Sequence, residues 1–258
     1  MNAPAAEVLL TETRGNVLLL TLNRPHARNA FDAALSQALS DALDRFEEDV
    51  ALSVAILTGA GGSFSAGMDL KALVKGENAY TKKRGGFGIL QHPPAKPLIA
   101  AIEGYAVAGG MELAMACDLI VAAEDAQLGL PEVKRGLVAV GGALFRLPRR
   151  IPYHVVMELA LTGEAQSAER FRQLGLVNRV MPKGQALEGA LALAASIAKN
   201  GPLATAATKQ ILLKQWEWTE EQAWPAHRQI ANKALRSKDA TEGSRAFAEK
   251  RPPVWRGE

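Results

Sequence analysis

Two short strings dominate what this chain can become. Ser53-Val-Ala-Ile-Leu-Thr58 is a compact apolar run that leads to Ser65-Ala-Gly-Met-Asp-Leu70, and Leu98 to Glu103 is a second run that leads to Ala108-Gly-Gly-Met-Glu-Leu113. Short apolar runs closed by glycine read as buried strands, and the segments behind the glycines read as helix starts. Strand, glycine turn and helix, twice over, is the grammar of a layered α/β fold. If the two strands lie side by side, the turns meet at one end of the sheet. Each would then present N–H groups that a helix start leaves without an intrahelical partner. Amides so placed can hold a developing oxyanion; the plainer alternative is that the glycines only permit tight turns and close helix packing.

The remaining pattern fits the same class. Val8 to Thr11 and Val17 to Leu22 flank Arg14-Gly15-Asn16, a hairpin signal. Leu35, Leu39, Leu43 and Phe46 recur at helical spacing behind Asp32, a capping residue. Gly109 to Cys117 reads as a short helix and Asp118 to Ala123 as a strand. Beyond Pro152 helical patterns take over, with Leu176 to Val180 as the remaining strand expectation.

Composition narrows the function classes. A chain of 258 residues with 48% hydrophobic and 22% charged residues has the balance of an ordinary globular enzyme. No apolar run approaches the roughly 20 residues of a membrane span, and Met1 to Glu7 carries no leader pattern, so a cytoplasmic address is expected. Cys117 is the single cysteine, which excludes an internal disulfide and a cysteine zinc cluster and suggests a small core residue. His26, His92, His154 and His227 are scattered without ligand spacing, so no metal is expected. His92, before Pro93-Pro94, suggests a hydrolase or dehalogenase base, but the aspartate nucleophile of such dehalogenases has no counterpart. A net charge of +3 favours anions only mildly. Lys82-Lys83-Arg84 and the trio Arg146, Arg149 and Arg150 read as solvated faces, and no aromatic-and-basic nucleic-acid motif is recognisable. Trp216, Trp218 and Trp224 lie in helical segments and read as interface or core anchors.

Glu112 and Glu132 are the candidate catalytic residues, each set in a stretch of glycine and apolar residues. Carboxylates are rarely buried without a partner, and desolvation makes one hold its proton to higher pH. Two facing one cavity can divide proton delivery and proton removal, as adding or removing water requires. The alternative is that each pairs with an arginine such as Arg135 or Arg146.

In order and spacing, Asn23-Arg-Pro25 with Asn29-Ala30, Phe64-Ser-Ala-Gly-Met-Asp-Leu-Lys71, Lys96-Pro97 with Gly104-Tyr-Ala-Val-Ala-Gly-Gly-Met-Glu112-Leu, and Leu130-Pro-Glu132 form one set. Together they resemble the enoyl-CoA hydratase/isomerase, or crotonase, superfamily from end to end. The resemblance implies an α/β crotonase-like spiral of ββα repeats over residues 1–195 and a helical trimerisation region over 196–258, assembling as a homotrimer or a hexamer. It implies an acyl-CoA thioester as substrate, coenzyme A being part of that substrate, with no further cofactor and no metal. The oxyanion hole would be the N–H groups of Met68 and Gly109. Adenine and pantetheine would lie along Ala66, Met68, Asp69 and Leu70, with Arg24 or Arg28 near the phosphates.

Members that hydrate enoyl thioesters carry both glutamates, and isomerases generally lack the first. The implied activity is therefore enoyl-CoA hydratase, with isomerase, thioester hydrolase and non-catalytic acyl-CoA or RNA binding as rivals. One stretch departs from the pattern. Hydratases usually show Gly-x-x-Pro-Gly-x-Gly-Gly-Thr after the second glutamate, whereas Gly136-Leu-Val-Ala-Val-Gly-Gly-Ala-Leu144 puts Ala139 and Val140 at the Pro-Gly step. A valine there is expected to narrow the water and acyl site. The run Asp239 to Gly243 with Ala246 to Trp255 resembles the tail of bacterial members that include carnitinyl-CoA dehydratase, and reads as an assembly and CoA-contact element. The Lys82 to Gly88 loop either covers the active site or is an exposed insertion.

Overall fold

The hairpin signal near the start of the chain is realised as β1 (Leu9–Arg14) and β2 (Val17–Leu22), antiparallel with Arg14 opposite Val17. The computed structural model describes residues 7–258; residues 1–6, where most of the leader reading falls, lie outside the described residues. Asp32 then starts α1 (Ala33–Glu48) by accepting the Leu35 N–H at 2.9 Å, a cap worth about 1 kcal/mol. The periodic stripe Leu35, Leu39, Leu43 and Phe46 is fully buried.

Chain order continues with β3 (Val54–Gly59), α2 (Leu70–Val74), the small hairpin β4 (Tyr80–Thr81) and β5 (Gly85–Gly86), β6 (Leu98–Ile102), β7 (Tyr105–Val107), α3 (Gly109–Ala116), β8 (Leu119–Ala123) and β9 (Gln127–Gly129). After a 3-10 turn at Pro131–Arg135 come α4 (Ala143–Arg146), α5 (Tyr153–Thr162), β10 (Gln166–Ser167), α6 (Ala168–Gln173), β11 (Arg179–Met181) and α7 (Ala186–Ala198). The chain closes with α8 (Pro202–Lys214), α9 (Glu220–Leu235) and α10 (Lys238–Ala248).

The main sheet has the order β1-β2-β3-β6-β8-β11, parallel from β2 onward, and a smaller sheet has the order β10-β9-β7. Alternate residues of the main strands feed two cores. Leu18, Leu20, Leu22, Ala55 and Leu57 pack with the α1 stripe, while Val17, Leu19, Val54, Ile56, Ile99, Ala101 and Val121 meet Ala190 and Ala194 of α7. Both faces are covered, which is why these strands read as unbroken apolar runs rather than as an alternation. The 195/196 division falls within α7, so one helix belongs to the sheet packing on one side of it and leads into α8 on the other.

The expected strands at Ser53 to Thr58, Leu98 to Glu103 and Asp118 to Ala123 are present within a residue or so. The strand expected at Leu176 to Val180 is displaced. Leu176 and Val177 both donate to the Phe171 carbonyl, closing α6, and pairing begins only at Arg179. Trp216 and Trp224 are not core anchors: both stand exposed on the C-terminal helices. The closing tail folds back, with the Trp255 indole donating to the Lys199 carbonyl at 2.8 Å and Asp239 accepting the Arg256 and Gly257 N–H groups.

Candidate active site

The two glycine turns meet because β3 and β6 are adjacent and because the first turn is stitched to β7. Ser65 donates its N–H to the Tyr105 carbonyl at 3.0 Å and accepts the Val107 N–H at 3.2 Å. Two residues on, Phe31 donates to the Gly67 carbonyl at 2.7 Å and accepts from the Asp69 N–H at 2.9 Å. A parallel bridge of this kind uses the residues on either side of Met68, so the Met68 N–H keeps no acceptor among the described residues. Gly109 opens α3 and its N–H has none either, as expected of a first helical residue. The backbones touch: a Cβ on Gly67, at φ +85°, would stand 2.6 Å from the Gly109 nitrogen.

A buried polar frame holds this approach. The Ser65 hydroxyl donates to the Asn29 carbonyl at 2.9 Å and accepts the Gly67 N–H at 3.1 Å. The Asn29 side chain donates to the carbonyls of Ser63 at 2.7 Å and Ala60 at 2.9 Å and accepts the Arg24 N–H at 2.9 Å. Their positioning roles are not read from sequence, although two short polar residues amid apolar neighbours are a signal for them. Phe87, at φ 54°, stacks on Phe31 with ring centroids 4.5 Å apart and presses against the Cα of Gly109.

Glu112 lies one turn into α3 and is only 4% exposed. Its Oε1 accepts the Gly141 N–H at 2.6 Å and the Ala143 N–H at 3.3 Å. Burial raises its pKa above the usual carboxylate range, against the lowering influence of those amides and of the nearby Arg146 charge. Glu132 sits on the Pro131–Arg135 turn. Burial raises its pKa too, and the Glu112 charge raises it further, so the two carboxylates share one electrostatic neighbourhood. Glu132 Oε2 is buried with no hydrogen-bond partner among the described residues. Neither glutamate forms an ion pair with Arg135 or Arg146 among the described residues. Two carboxyl groups with raised pKa values, near two amides without acceptors, can give and take protons at a carbonyl compound whose oxygen the amides hold.

Residues 12–258 match the enoyl-CoA hydratase/isomerase family. The chain belongs to that family. It is 43% identical to enoyl-CoA hydratase EchA19 of Mycobacterium tuberculosis over 251 residues, covering 95% of this chain and 94% of that protein. It is 44% identical to carnitinyl-CoA dehydratase of Salmonella typhi, covering 98% of this chain and 99% of that protein. The crystal structure of enoyl-CoA hydratase EchA1 from Mycobacterium marinum aligns with a TM-score of 0.95 at 56% identity, covering 98% of this chain and 100% of that one. The α/β spiral of the crotonase fold, expected from sequence, is thereby shown.

Within this family member several sequence readings need correction. Val140 is 84% exposed, so its side chain is not packed into the interior beside the glutamates. Arg84 is not solvated: it is 3% exposed, paired with Asp44 at 2.7 Å and with Glu47, and it donates to the His92 carbonyl at 2.9 Å. The Lys82 to Gly88 loop is therefore anchored on α1 rather than a free insertion. Arg146 and Arg150 likewise turn inward onto backbone carbonyls. Arg24 is committed to Asp32 and Asp69, each at 3.0 Å, and to the Ala30 carbonyl, which leaves it as a tie between α1 and α2 rather than a free phosphate ligand. Arg28 is exposed and has no ion pair among the described residues. Asp69 caps α2; burial would raise its pKa, but hydrogen bonds from Arg24 and the α2 amides hold it below the usual range. His92 is exposed, and Cys117 is buried with its thiol pKa pushed up by burial, as a core residue should be. No helix among the described residues is long and apolar enough to cross a membrane, and the described residues contain no group of three or more potential metal ligands.

Proposed function

We propose that the protein is a hydro-lyase of the enoyl-CoA hydratase type, adding water reversibly across the double bond of a trans-2-enoyl-CoA thioester to give the 3-hydroxyacyl-CoA. The observation that carries this reading is that Glu112 and Glu132, whose pKa values burial raises above the usual carboxylate range, share one electrostatic neighbourhood on and beside the helix that Gly109 opens, where the N–H groups of Met68 and Gly109 have no acceptor among the described residues. The thioester carbonyl docks between the two amides, which polarise the double bond and hold enolate charge as it reaches oxygen. One such donor is worth about 2.7–4 kcal/mol. Glu112 and Glu132 hold the attacking water over the β-carbon; as the water oxygen bonds there, ionised Glu112 takes the water's proton, and Glu132 supplies the proton to the α-carbon.

Coenzyme A enters as part of the substrate, and neither a metal nor a redox group is needed. Its adenine and pantetheine lie along Ala66, Met68, Asp69 and Leu70. Arg28 is the phosphate ligand of choice, being exposed and joined to Ala66 through the bond from the Ala66 N–H to its carbonyl at 3.0 Å. Exposed Leu212, Leu213, Trp216 and Trp224 on the C-terminal helices supply apolar surface for a homotrimer, or for trimers paired into a hexamer. A cytoplasmic setting belongs to the same reading. The 44% identity to a carnitinyl-CoA dehydratase supports a second candidate, dehydration of a carnitine-like thioester at the same site.

The test is loss of the conjugated enoyl absorbance across a panel of short, long, aromatic and carnitine-like enoyl-CoA thioesters. Hydration abolished by Glu112→Gln and by Glu132→Gln is the expected result, since each positioned acid or base contributes about 10²–10⁴-fold. An unaltered spectrum with every thioester would replace this reading with a binding function.

A further inference from the structure

We propose that Arg146 is a positioning residue for Glu112, pinning two separate backbone segments against that carboxylate. Its guanidinium donates through Nη2 to the Leu90 carbonyl at 2.6 Å and through Nη1 to the Gly141 carbonyl at 3.3 Å. Gly141 is the residue whose N–H reaches Glu112 Oε1 at 2.6 Å, and Ala143, whose N–H reaches the same oxygen, begins the helix that Arg146 ends. Leu90 presses from the other side: a Cβ on Gly141 would lie 2.8 Å from Leu90 Cδ1 and 2.7 Å from Glu112 Cδ. One side chain therefore fixes both walls of the Glu112 seat.

Only arginine suits the task. A planar guanidinium presents several donors in a rigid fork and stays charged, whereas a lysine ammonium is a point charge on a flexible stem. The charge matters as well as the grip. Arg146 makes no ion pair with Glu112, yet its charge opposes the rise that burial imposes on the Glu112 pKa. The other charged groups around the seat are Glu132 on the Pro131–Arg135 turn, Arg135 beside it, and Arg150, which donates to the Met115 carbonyl of α3 at 3.0 Å. The kinetic half of this proposal rests on the hydration reading; the geometric half does not.

The experiment compares Arg146→Gln and Arg146→Lys with the parent protein. Arg146→Gln is expected to lower kcat about 100-fold, the loss that a misplacement of about 1 Å can cause, with little change in KM. Its Glu112 ionisation midpoint should move to higher pH. Arg146→Lys should restore that midpoint, because the charge returns, but only part of kcat, because the fork does not. The midpoint is read without substrate, by carbon-13 NMR of glutamate-labelled protein in which Glu112→Gln identifies the signal. Unchanged kcat and midpoint in Arg146→Gln would overturn the proposal, as would a loss of activity that tracks melting temperature while the midpoint stays put. If the parent protein hydrates no thioester, the hydration reading fails by itself, and the NMR midpoints still decide whether Arg146 controls Glu112.

Discussion

Gly141→Ala tests whether Glu112 works from the seat described above, using the smallest possible change. The added Cβ would stand 2.7 Å from Glu112 Cδ and 2.8 Å from Leu90 Cδ1, with Glu112 Oε2 closer still. Carbon atoms settle at about 3.5–4.0 Å, so the carboxylate must retreat by roughly 1 Å. The three nearest atoms all belong to side chains, so the sheet and the glycine turns can stay as they are. Retreat breaks the 2.6 Å bond from the Gly141 N–H, and a hydrogen bond to a charged group contributes about 1.5–3 kcal/mol. Overpacking adds a cost of about 1–3 kcal/mol where neighbours cannot yield, and here they can. The variant should therefore fold with a modestly lower melting temperature, while kcat for enoyl-CoA hydration falls about 100-fold. The assay is hydration kinetics alongside thermal melts. A melting temperature that drops while kcat holds at the parent value would refute the placement of Glu112 as a working acid or base.

Two further outcomes concern stability. Because the folded pKa of Glu112 is raised, the native protein binds more protons than the unfolded chain between the ordinary glutamate value of about 4.3 and the folded value, so its stability falls as pH rises through that window. Glu112→Gln keeps an acceptor for Gly141 and Ala143 but loses that slope, and should match or exceed the parent in stability near neutrality; parallel pH–stability curves from denaturant titration would contradict this. Lys209 of α8 pairs with Asp118 at 2.6 Å and donates to the Lys96 carbonyl at 2.9 Å while almost fully buried. Lys209→Met leaves Asp118 with only the Leu98 N–H at 2.8 Å and the Arg150 charge to offset its burial, and should cost about 3–5 kcal/mol in urea unfolding, the range for breaking a buried pair; a change within error would show that the pair is dispensable.

What could be read from sequence followed from local rules. The stripe Leu35, Leu39, Leu43 and Phe46 behind Asp32 carries its own period and its own cap, and the runs at Val54 and Leu98 are bounded by glycine on a scale a reader can see. The family resemblance of the segments around Glu112 and Glu132 points to the Met68 and Gly109 amides as the groups proposed to work with them. Distance along the chain hid the rest. Arg84 looks solvated beside Lys82 and Lys83 because its partners Asp44 and Glu47 lie on α1. The three-residue strands at Tyr105 and Gln127 are too short for any alternation to show, yet they set where the two turns meet. Val140 reads as crowding the site, but its side chain is exposed, and exposure is set by the path of the turn's backbone rather than by the residue type. Leu176 and Val177 have the composition of a strand and are spent on closing a helix.

Ala108 carries the widest implication. It is not a glycine, yet it adopts φ 53° and ψ −130°, a torsion that costs of order 1–3 kcal/mol. It is hooked on both sides, with its N–H on the Gly129 carbonyl at 2.9 Å and its own carbonyl taking the Met111 and Glu112 N–H groups at 2.9 and 3.2 Å. The peptide that aims the Gly109 amide therefore also sets the start of the turn bearing position 112. On the proposed reading, exchanging the side chains at 112 and 132 would leave this peptide where it is, so the carbonyl cradle is a property of the backbone and the proton carriers are its replaceable fittings.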